Sequence, residues 1–246
     1  MIISYRILLT VFLITASAGL FAQWSIDAES GLAFQDYNEV RIPNEGGTDF
    51  NFNGDFELQG PVVPFRVRVG YTFGEKNHVF GLYAPLTLRY EGPAPFDINF
   101  ENSFFPEGTS IDGLYRFNSY RLTYRRDVLL TDAWTLGIGF TAKIRDARVQ
   151  LATQGLRDRS DDFGFVPLLH FYAAYHTDSW RVYIEGDALA GGPGRAIDIF
   201  TGARYSLGRG VDLKGGYRIL EGGADVEQVY NFTLVNFAVV GVFWEF

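Results

Sequence analysis

The stretch that decides the fold is WTLGIGFTAKIR, residues 134–145. Apolar side chains occupy every second position from Trp134 to Ile144, and glycine, threonine, lysine and arginine fill the positions between them. A period of two residues places neighbouring side chains on opposite faces, which is typical of a β-strand with one apolar and one polar face. Residues 180–190, WRVYIEGDALA, repeat the pattern.

The same alternation recurs along most of the chain. The alternating segments are 24–34, 64–73, 78–90, 112–127, 134–149, 163–176, 180–190, 196–207, 211–221 and 229–246. Short connections at 74–77, 129–133, 177–179 and 208–210 alternate with mostly longer ones at 35–63, 91–111, 150–162, 191–195 and 222–228. This arrangement predicts an all-β, up-and-down antiparallel meander of about ten strands. Eight or twelve strands are expected if 49–59 or 96–105 pair differently.

Composition excludes several classes of function. The chain has 246 residues, no cysteine, a net charge of -8 and 17% aromatic residues. Without cysteine there are no disulfides, thiol catalysis or cysteine-based zinc sites. An acidic chain without a basic run is a poor match for nucleic acid, which needs clustered lysine and arginine. No cofactor is expected.

The first 22 residues have the pattern of an export signal. Arg6 supplies a positive charge, and an apolar run extends from Ile7 to about Ala22. The run is short for a transmembrane helix, and small residues follow it. We expect cleavage near Ala22, with Ala18 as the alternative site, or else an uncleaved anchor. Residues 23–246 then form a single domain.

Two all-β architectures fit the alternation. In a soluble sandwich or lipocalin-like barrel the apolar face points inward, whereas in a transmembrane barrel it points outward to lipid. Tryptophan position favours the second, because all four tryptophans fall on the apolar face at the short-turn ends of strands, where a membrane interface satisfies both ring and N–H. These predicted interface residues are Trp24, Trp134, Trp180 and Trp244.

The chain ends in VVGVFWEF, residues 239–246. With the alternation and the export signal, this ending resembles bacterial outer-membrane β-barrel proteins, in which an aromatic residue ends the last strand. Phe246, Trp244 and Gly241 match that ending, whereas Val239 stands where a polar residue is usual. The resemblance implies localisation in a Gram-negative outer membrane, contact with its lipid and lipopolysaccharide, and recognition of the tail by the barrel-assembly machinery.

The polar face of the strands would line the lumen. The acidic residues predicted there are Asp27, Glu29, Glu185, Asp187, Asp198 and Asp212. The basic ones are Arg66, Arg68, Arg89, Arg121, Arg125, Lys143, Arg145, Arg181, Arg204, Lys214 and Arg218. Ten strands enclose a narrow interior, so we expect a plugged or very narrow lumen cross-linked by salt bridges, with any remaining pore selective for anions.

Two weaker chemical patterns stand out. Asp49, Asn51 and Asn53 match the opening of a calcium loop, but Gly60 stands where the closing glutamate belongs. A two-residue turn at 178–179 would place His170 opposite Asp187, an orientation that suits general-base chemistry, although no serine nucleophile is placed beside the pair. The alternative to a calcium site is a solvated strand extension, and the alternative to a catalytic pair is a buried structural hydrogen bond. We expect the second possibility in each case.

The sequence therefore predicts a non-enzymatic outer-membrane barrel with a porin-like or structural, surface-interacting role. One alternative is a barrel enzyme acting on lipid A or peptides through His170 and Asp187. Another is an adhesin or binding protein that uses its long acidic loops, 35–63 and 91–111. The identity of any solute or surface ligand is left open.

Overall fold

A computed structural model describes residues 23–192 and 194–246; the predicted signal segment, 1–22, lies outside the described residues. The described residues form fifteen strands and one short helix. In chain order they are β1 (Gln23–Arg41), β2 (Phe50–Asn51), α1 (Phe52–Asp55), β3 (Glu57–Leu58), β4 (Arg66–Phe73), β5 (Asn77–Ala84), β6 (Thr87–Pro93), β7 (Ile98–Phe100), β8 (Ser103–Phe105), β9 (Ser110–Leu130), β10 (Trp134–Ala152), β11 (Arg157–His176), β12 (Trp180–Gly191), β13 (Gly194–Gly208), β14 (Val211–Val226) and β15 (Val229–Glu245).

Ten of these strands close into an antiparallel barrel, in the order β1, β4, β5, β9, β10, β11, β12, β13, β14, β15 and back to β1. The first and last strands pair from Ser25 opposite Glu245 to Arg41 opposite Tyr230. At the end of this β1–β15 pairing the amide of Trp24 donates to the carbonyl of Phe246 at 2.9 Å, and the reverse bond has the same length. The predicted ten-stranded transmembrane barrel fold is confirmed.

The two faces of the wall differ as the alternation predicts. On β10 the outward side chains of Ile138 and Phe140 are 59% and 64% exposed, whereas the inward Thr141 and Lys143 are buried. An apolar outer face around a charged interior is the arrangement of a barrel surrounded by lipid. The apolar belt ends where outward positions become charged, at Asp36, Asp146, Asp161, Arg195 and Glu221. No helix among the described residues is long and apolar enough to cross a membrane.

Parts of the long connections are ordered into the wall rather than forming loops. Residues 42–65 cover the gap between β6 and the outer part of β1, away from the short turns. Within this segment β2 pairs with β1 and β3 pairs with β6. The β7–β8 hairpin is tied to β11, where Asp158 accepts hydrogen bonds from the amide of Asn102 and the hydroxyl of Ser103. The connection expected at 222–228 is mostly strand, since β14 and β15 pair until Val226 meets Val229.

The structure contradicts the prediction for Arg89. This residue was placed in the lumen, but its side chain is exposed, and its neighbours Leu88 and Tyr90 point inward and are 1% exposed. Arg89 lies on β6, beyond the outer end of the lipid belt, where the outside is water and the inside is filled by apolar side chains. Polarity therefore inverts relative to the membrane-spanning part of the same wall.

Candidate functional site

A layer of ion pairs crosses the barrel interior. Arg68 on β4 pairs with Glu185 on β12, and these strands lie on opposite sides of the ring. Arg121 on β9 contacts Asp187 on β12 at 2.7 Å and Asp198 on β13 at 2.6 Å. Each bond joins strands that share no backbone ladder, so the side chains span the lumen rather than line it.

A second group of pairs joins β1 to β13 and β14. Lys214 Nζ lies 3.0 Å from Asp27 Oδ2 and also contacts Glu29. Arg218 bridges Glu29 at 2.9 Å and Asp198 at 2.7 Å, and Arg204 lies 3.2 Å from Asp27. All of these charged side chains are buried. Burying so many charges is tolerable only because each has a close partner of opposite sign.

Aromatic rings fill the space around these charges. The Arg204 guanidinium carbon lies 3.7 Å from the centroid of the Phe243 ring, and Lys214 Nζ lies 4.5 Å from that of Phe200. Phe200 has no exposed surface. Aromatic rings that pack on cations in this way are held by attraction between the ring face and the charge. Charged and aromatic side chains together therefore occupy the interior at this level.

Of the remaining predicted basic residues of the lumen, Arg66 joins the central layer, whereas the arginines toward the two ends of the barrel lie outside it. Arg125 Nε is 2.9 Å from Asp127, and Arg181 Nε donates to His176 Nδ1 at 3.2 Å, both toward the short turns. Arg145 pairs with Asp162 toward the outer end, and Arg66 Nη1 is 3.0 Å from Asp198. Lys143 alone among the predicted basic residues on β10 has no salt bridge with a described residue.

His170 lies opposite Asp187 in the β11–β12 ladder, and its Nδ1 is 2.8 Å from Asp187 Oδ1. The same carboxylate accepts hydrogen bonds from Thr141 at 2.6 Å and Arg121 at 2.7 Å. The side chain of His170 is 3% exposed, and its Nε2 has no hydrogen-bond partner among the described residues. The pair is thus part of the charge layer, enclosed on all sides.

A hydrophobic cluster, which we call the plug, fills part of the barrel between the charge layer and the outer end. Phe52 stacks on Tyr90 with ring centroids 4.6 Å apart, and Phe50 meets Phe52 edge-on at 5.2 Å. The further members are Val40, Ile42, Phe56, Leu88, Ile98, Phe100, Phe105 and Ile111. Sequence reasoning missed this cluster, although phenylalanines recurring inside two acidic, glycine-containing connections were a signal for it.

A cavity of about 1100 Å³ lies beside the plug, within the outer ends of β9 to β15. Its inner wall includes Tyr115, Phe117 and Lys143, and its outer margin includes Glu45 and Glu227. Volumes of this order are large for a small-molecule site, since most pockets measure about 300–1,000 Å³. Residues of the outer connections, such as Glu45 and Gln228, line the cavity, so a ligand could enter it from the loop end.

Charged pairs line the margin of the cavity. Arg148 Nη2 lies 3.2 Å from Asp161 Oδ2, and Arg159 Nε lies 3.1 Å from the same carboxylate oxygen. The hydrogen bond from Arg148 and the neighbouring positive charges hold the pKa of the Asp161 carboxyl below its ordinary value. Asp161 is therefore ionised at neutral pH and neutralises part of the positive charge at this margin.

The calcium-loop residues are engaged in local contacts. Asp49 pairs with Arg41 at 3.0 Å. Asn51 Oδ1 accepts from the amides of Asn38 at 3.0 Å and Asn53 at 3.1 Å, and so caps the single turn of α1. No cluster of three or more metal-ligating histidine, aspartate or glutamate side chains occurs among the described residues.

The four tryptophans lie at the short-turn end, on the outside of the wall. Three of them pack on tyrosines of the neighbouring strand: Trp24 on Tyr71, Trp134 on Tyr175 and Trp180 on Tyr205, with ring centroids 4.8–5.0 Å apart. Trp244 packs on Phe246 at 4.4 Å. A ring of aromatic pairs at one end of an apolar belt is typical of a membrane–water interface.

Gly241 has a steric role independent of any recognition by other proteins. A Cβ atom at this position would lie 2.4 Å from the carbonyl oxygen of Ala28 on β1. Gly241 is opposite Lys214 in the β14–β15 ladder and opposite Glu29 in the β1–β15 ladder. The glycine thus allows close approach of the closing strands where the Lys214–Glu29 contact forms.

No family model matches the chain, and no curated protein matches its sequence. Solved bacterial outer-membrane barrels are similar to it in architecture. The protease OmpT of Escherichia coli aligns with a TM-score of 0.49 and 9% identity, covering 92% of this chain and 97% of that one. Ail of Yersinia pestis, crystallised with the heparin analogue sucrose octasulfate, aligns with a TM-score of 0.39 and 10% identity over 91% and 99%. An outer-membrane channel of Pseudomonas putida F1 gives 0.44 and 9% over 92% and 96%.

Proposed function

We propose that this chain is a non-conducting outer-membrane barrel that binds a ligand in its outer cavity. The observation that carries the proposal is the position of the cavity relative to the two obstructions. Ion pairs such as Arg68–Glu185 cross the full width of the barrel beneath it, and the plug fills the space beside it. In this proposal the ion pairs block the passage of a solute that enters the cavity from outside.

The burial of the charge layer argues against a porin-like role. Opening a path would separate Arg121 from Asp187 and Asp198, whose side chains are 1%, 9% and 2% exposed. Removing one partner from such a buried pair costs about 3–5 kcal/mol. The layer contains several such pairs in contact with one another, so thermal opening wide enough for an ion is rare.

The same burial argues against the enzyme alternative at His170. A general base must come within hydrogen-bond reach of the proton that it abstracts. The Nδ1 atom of His170 is occupied by Asp187, and the ring is closed off from the cavity and from the short-turn end. His170 and Asp187 serve as structural members of the charge layer in this proposal.

A flux assay tests the proposal. The mature chain would be refolded into phosphatidylcholine vesicles loaded with a chloride-sensitive dye, and folding would be checked by the heat-dependent shift of the barrel on a denaturing gel. We expect leakage equal to that of protein-free vesicles. A matched variant with Arg121→Gly and Arg68→Gly removes two of the crossing side chains and is expected to leak. Rapid leakage by the folded wild-type barrel would overturn the proposal.

A further inference from the structure

The β11–β12 ladder ends early. These strands pair only from His176 opposite Arg181 to Leu169 opposite Ala188. β11 continues to Arg157 while paired with β10 alone, and β12 continues to Gly191 while paired with β13 alone. Pro167 lies just beyond the last pair and has no N–H to donate, which suits an unpaired strand edge. We call this unpaired boundary the seam.

The seam connects the cavity with the lipid-facing surface. Side chains from both sides of the β11 wall line the same cavity: Val166 on the inner face, and Phe165 on the outer face, where it is 64% exposed. Across the seam, Leu189 points inward and is nevertheless 42% exposed. The gap between β1 and β6 is covered by residues 42–65, whereas no described strand pairs with the outer part of β11 on the side of the seam.

The inner wall of the cavity carries a buried lysine without an acidic partner among the described residues. Lys143 is 2% exposed, lines the cavity, and has no carboxylate within salt-bridge distance among the described residues. It lies directly opposite Arg121 in the β9–β10 ladder, and like charges in that position repel. Both carboxylates near Arg121 are engaged by that arginine. Lys143 Nζ instead lies 4.5 Å from the centroid of the Phe117 ring.

A second donor faces the same region. Arg145, two residues further along β10, pairs with Asp162 through Nη2, and its Nε is buried without a hydrogen-bond partner. Buried donors without partners are costly and are rare in folded proteins. A monoanionic group beside Lys143 would satisfy both donors. Apolar side chains then line the way outward, at Phe117, Val166 and Leu189.

We infer that the cavity binds a membrane-dissolved, single-chain alkyl carboxylate, with its carboxylate on Lys143 and Arg145 and its chain leaving through the seam. This inference rests on the proposed function, because a conducting lumen would leave the Lys143 site open to water. The charge of the site selects the anionic head, and the apolar opening toward lipid selects the alkyl chain.

Photolabelling tests the inference. The probe is hexadecanoate with a diazirine near the middle of its chain, added to the folded wild-type barrel in phosphatidylcholine vesicles, with adducts mapped by mass spectrometry. We expect adducts concentrated on residues 163–169 and 188–191, with a weaker background on the lipid-facing side of β15. The matched hexadecanol probe should label the seam about tenfold less, because it lacks the charge that a charge-assisted hydrogen bond requires.

Two substitutions at Lys143 distinguish an effect of its charge on binding from an effect on folding. Lys143→Met is expected to reduce seam adducts about tenfold and leave the β15 background unchanged, whereas Lys143→Arg should retain them. Equal labelling by acid and alcohol on the folded wild type, or adducts spread evenly around the belt, would overturn the inference. So would complete competition by millimolar acetate, since it would show a general anion site. Dye leakage from the same vesicles reports separately on the proposed function.

Discussion

Arg68 and Glu185 form an ion pair across the barrel, from strands that lie at opposite points of the ten-stranded ring. Arg68 also contacts Asp27 at 3.0 Å, so a single guanidinium joins β4, β12 and β1. Because β4 and β12 are not neighbours, the Arg68–Glu185 contact fixes the width of the barrel independently of its backbone hydrogen bonds. The proposed closed lumen rests on this cross-linking.

Arg121→Met is expected to destabilise the barrel strongly. The substitution leaves Asp187 and Asp198 buried without their shared cation, and the expected loss is about 3–5 kcal/mol in the free energy of unfolding. Urea titration in vesicles, followed by tryptophan emission, measures it. Asp49→Asn is the control, because the Arg41–Asp49 pair is exposed and is worth at most about 1 kcal/mol. Similar losses for both variants would contradict the account of the charge layer.

His170→Ala is expected to lower stability by less than Arg121→Met. Asp187 keeps its bonds to Arg121 and Thr141, so one hydrogen bond and some packing are lost, about 1–3 kcal/mol. The same urea titration provides the comparison. If the variant kept full stability but lost a hydrolytic activity toward lipid A or peptides, the enzyme alternative would replace the present account.

Deletion of Phe246 tests the predicted assembly signal. The residue ends the β1–β15 pairing with two backbone hydrogen bonds to Trp24, and we propose that the assembly machinery also recognises it. We expect slower insertion in cells, with refolding into detergent nearly unchanged, measured as the heat-modifiable fraction. Val240→Ala, on the lipid face of the same strand, is the control. Equal loss in cells and in detergent would show that the residue matters only for barrel closure.

Backbone exchange should reveal the seam. Amides of β11 that face β12 beyond Leu169 have no partner strand, so we expect them to exchange within seconds. Residues 143–152 of β10 lie at a similar level but pair with β9 and β11, and should be protected. Hydrogen–deuterium exchange with peptide mapping makes the comparison. Strong protection throughout residues 157–168 would mean that the seam is closed in the membrane.

The sequence was sufficient for the wall of the barrel because a strand's two faces are recorded in local alternation. The β11–β12 register, with His170 opposite Asp187, followed from a two-residue turn at 178–179. The plug did not follow, because Phe52 and Tyr90 meet through contacts between distant segments that no local period encodes. Arg89 was misplaced because its side chain was assigned to the lumen on account of its charge. That rule holds only within the lipid belt, and Arg89 lies beyond it.

The seam was also beyond sequence reasoning. Apolar and polar residues alternate over the outer half of β11, because this half still pairs with β10. The alternation does not indicate that the other edge of this half lacks a partner strand. Pro167 was the local sign of a strand edge. Likewise, Lys143 looks like the other inward basic residues in the sequence, and only the three-dimensional arrangement shows that its neighbours' carboxylates are engaged elsewhere.

Single-channel recording in a planar bilayer tests the central claim most directly. The account predicts that the folded, inserted wild-type barrel passes no resolvable current at 100 mV, whereas the Arg68→Gly, Arg121→Gly variant shows steps. Steady steps from the wild type, with a reversal potential that indicates anion selectivity, would contradict the closed lumen and restore the porin-like role.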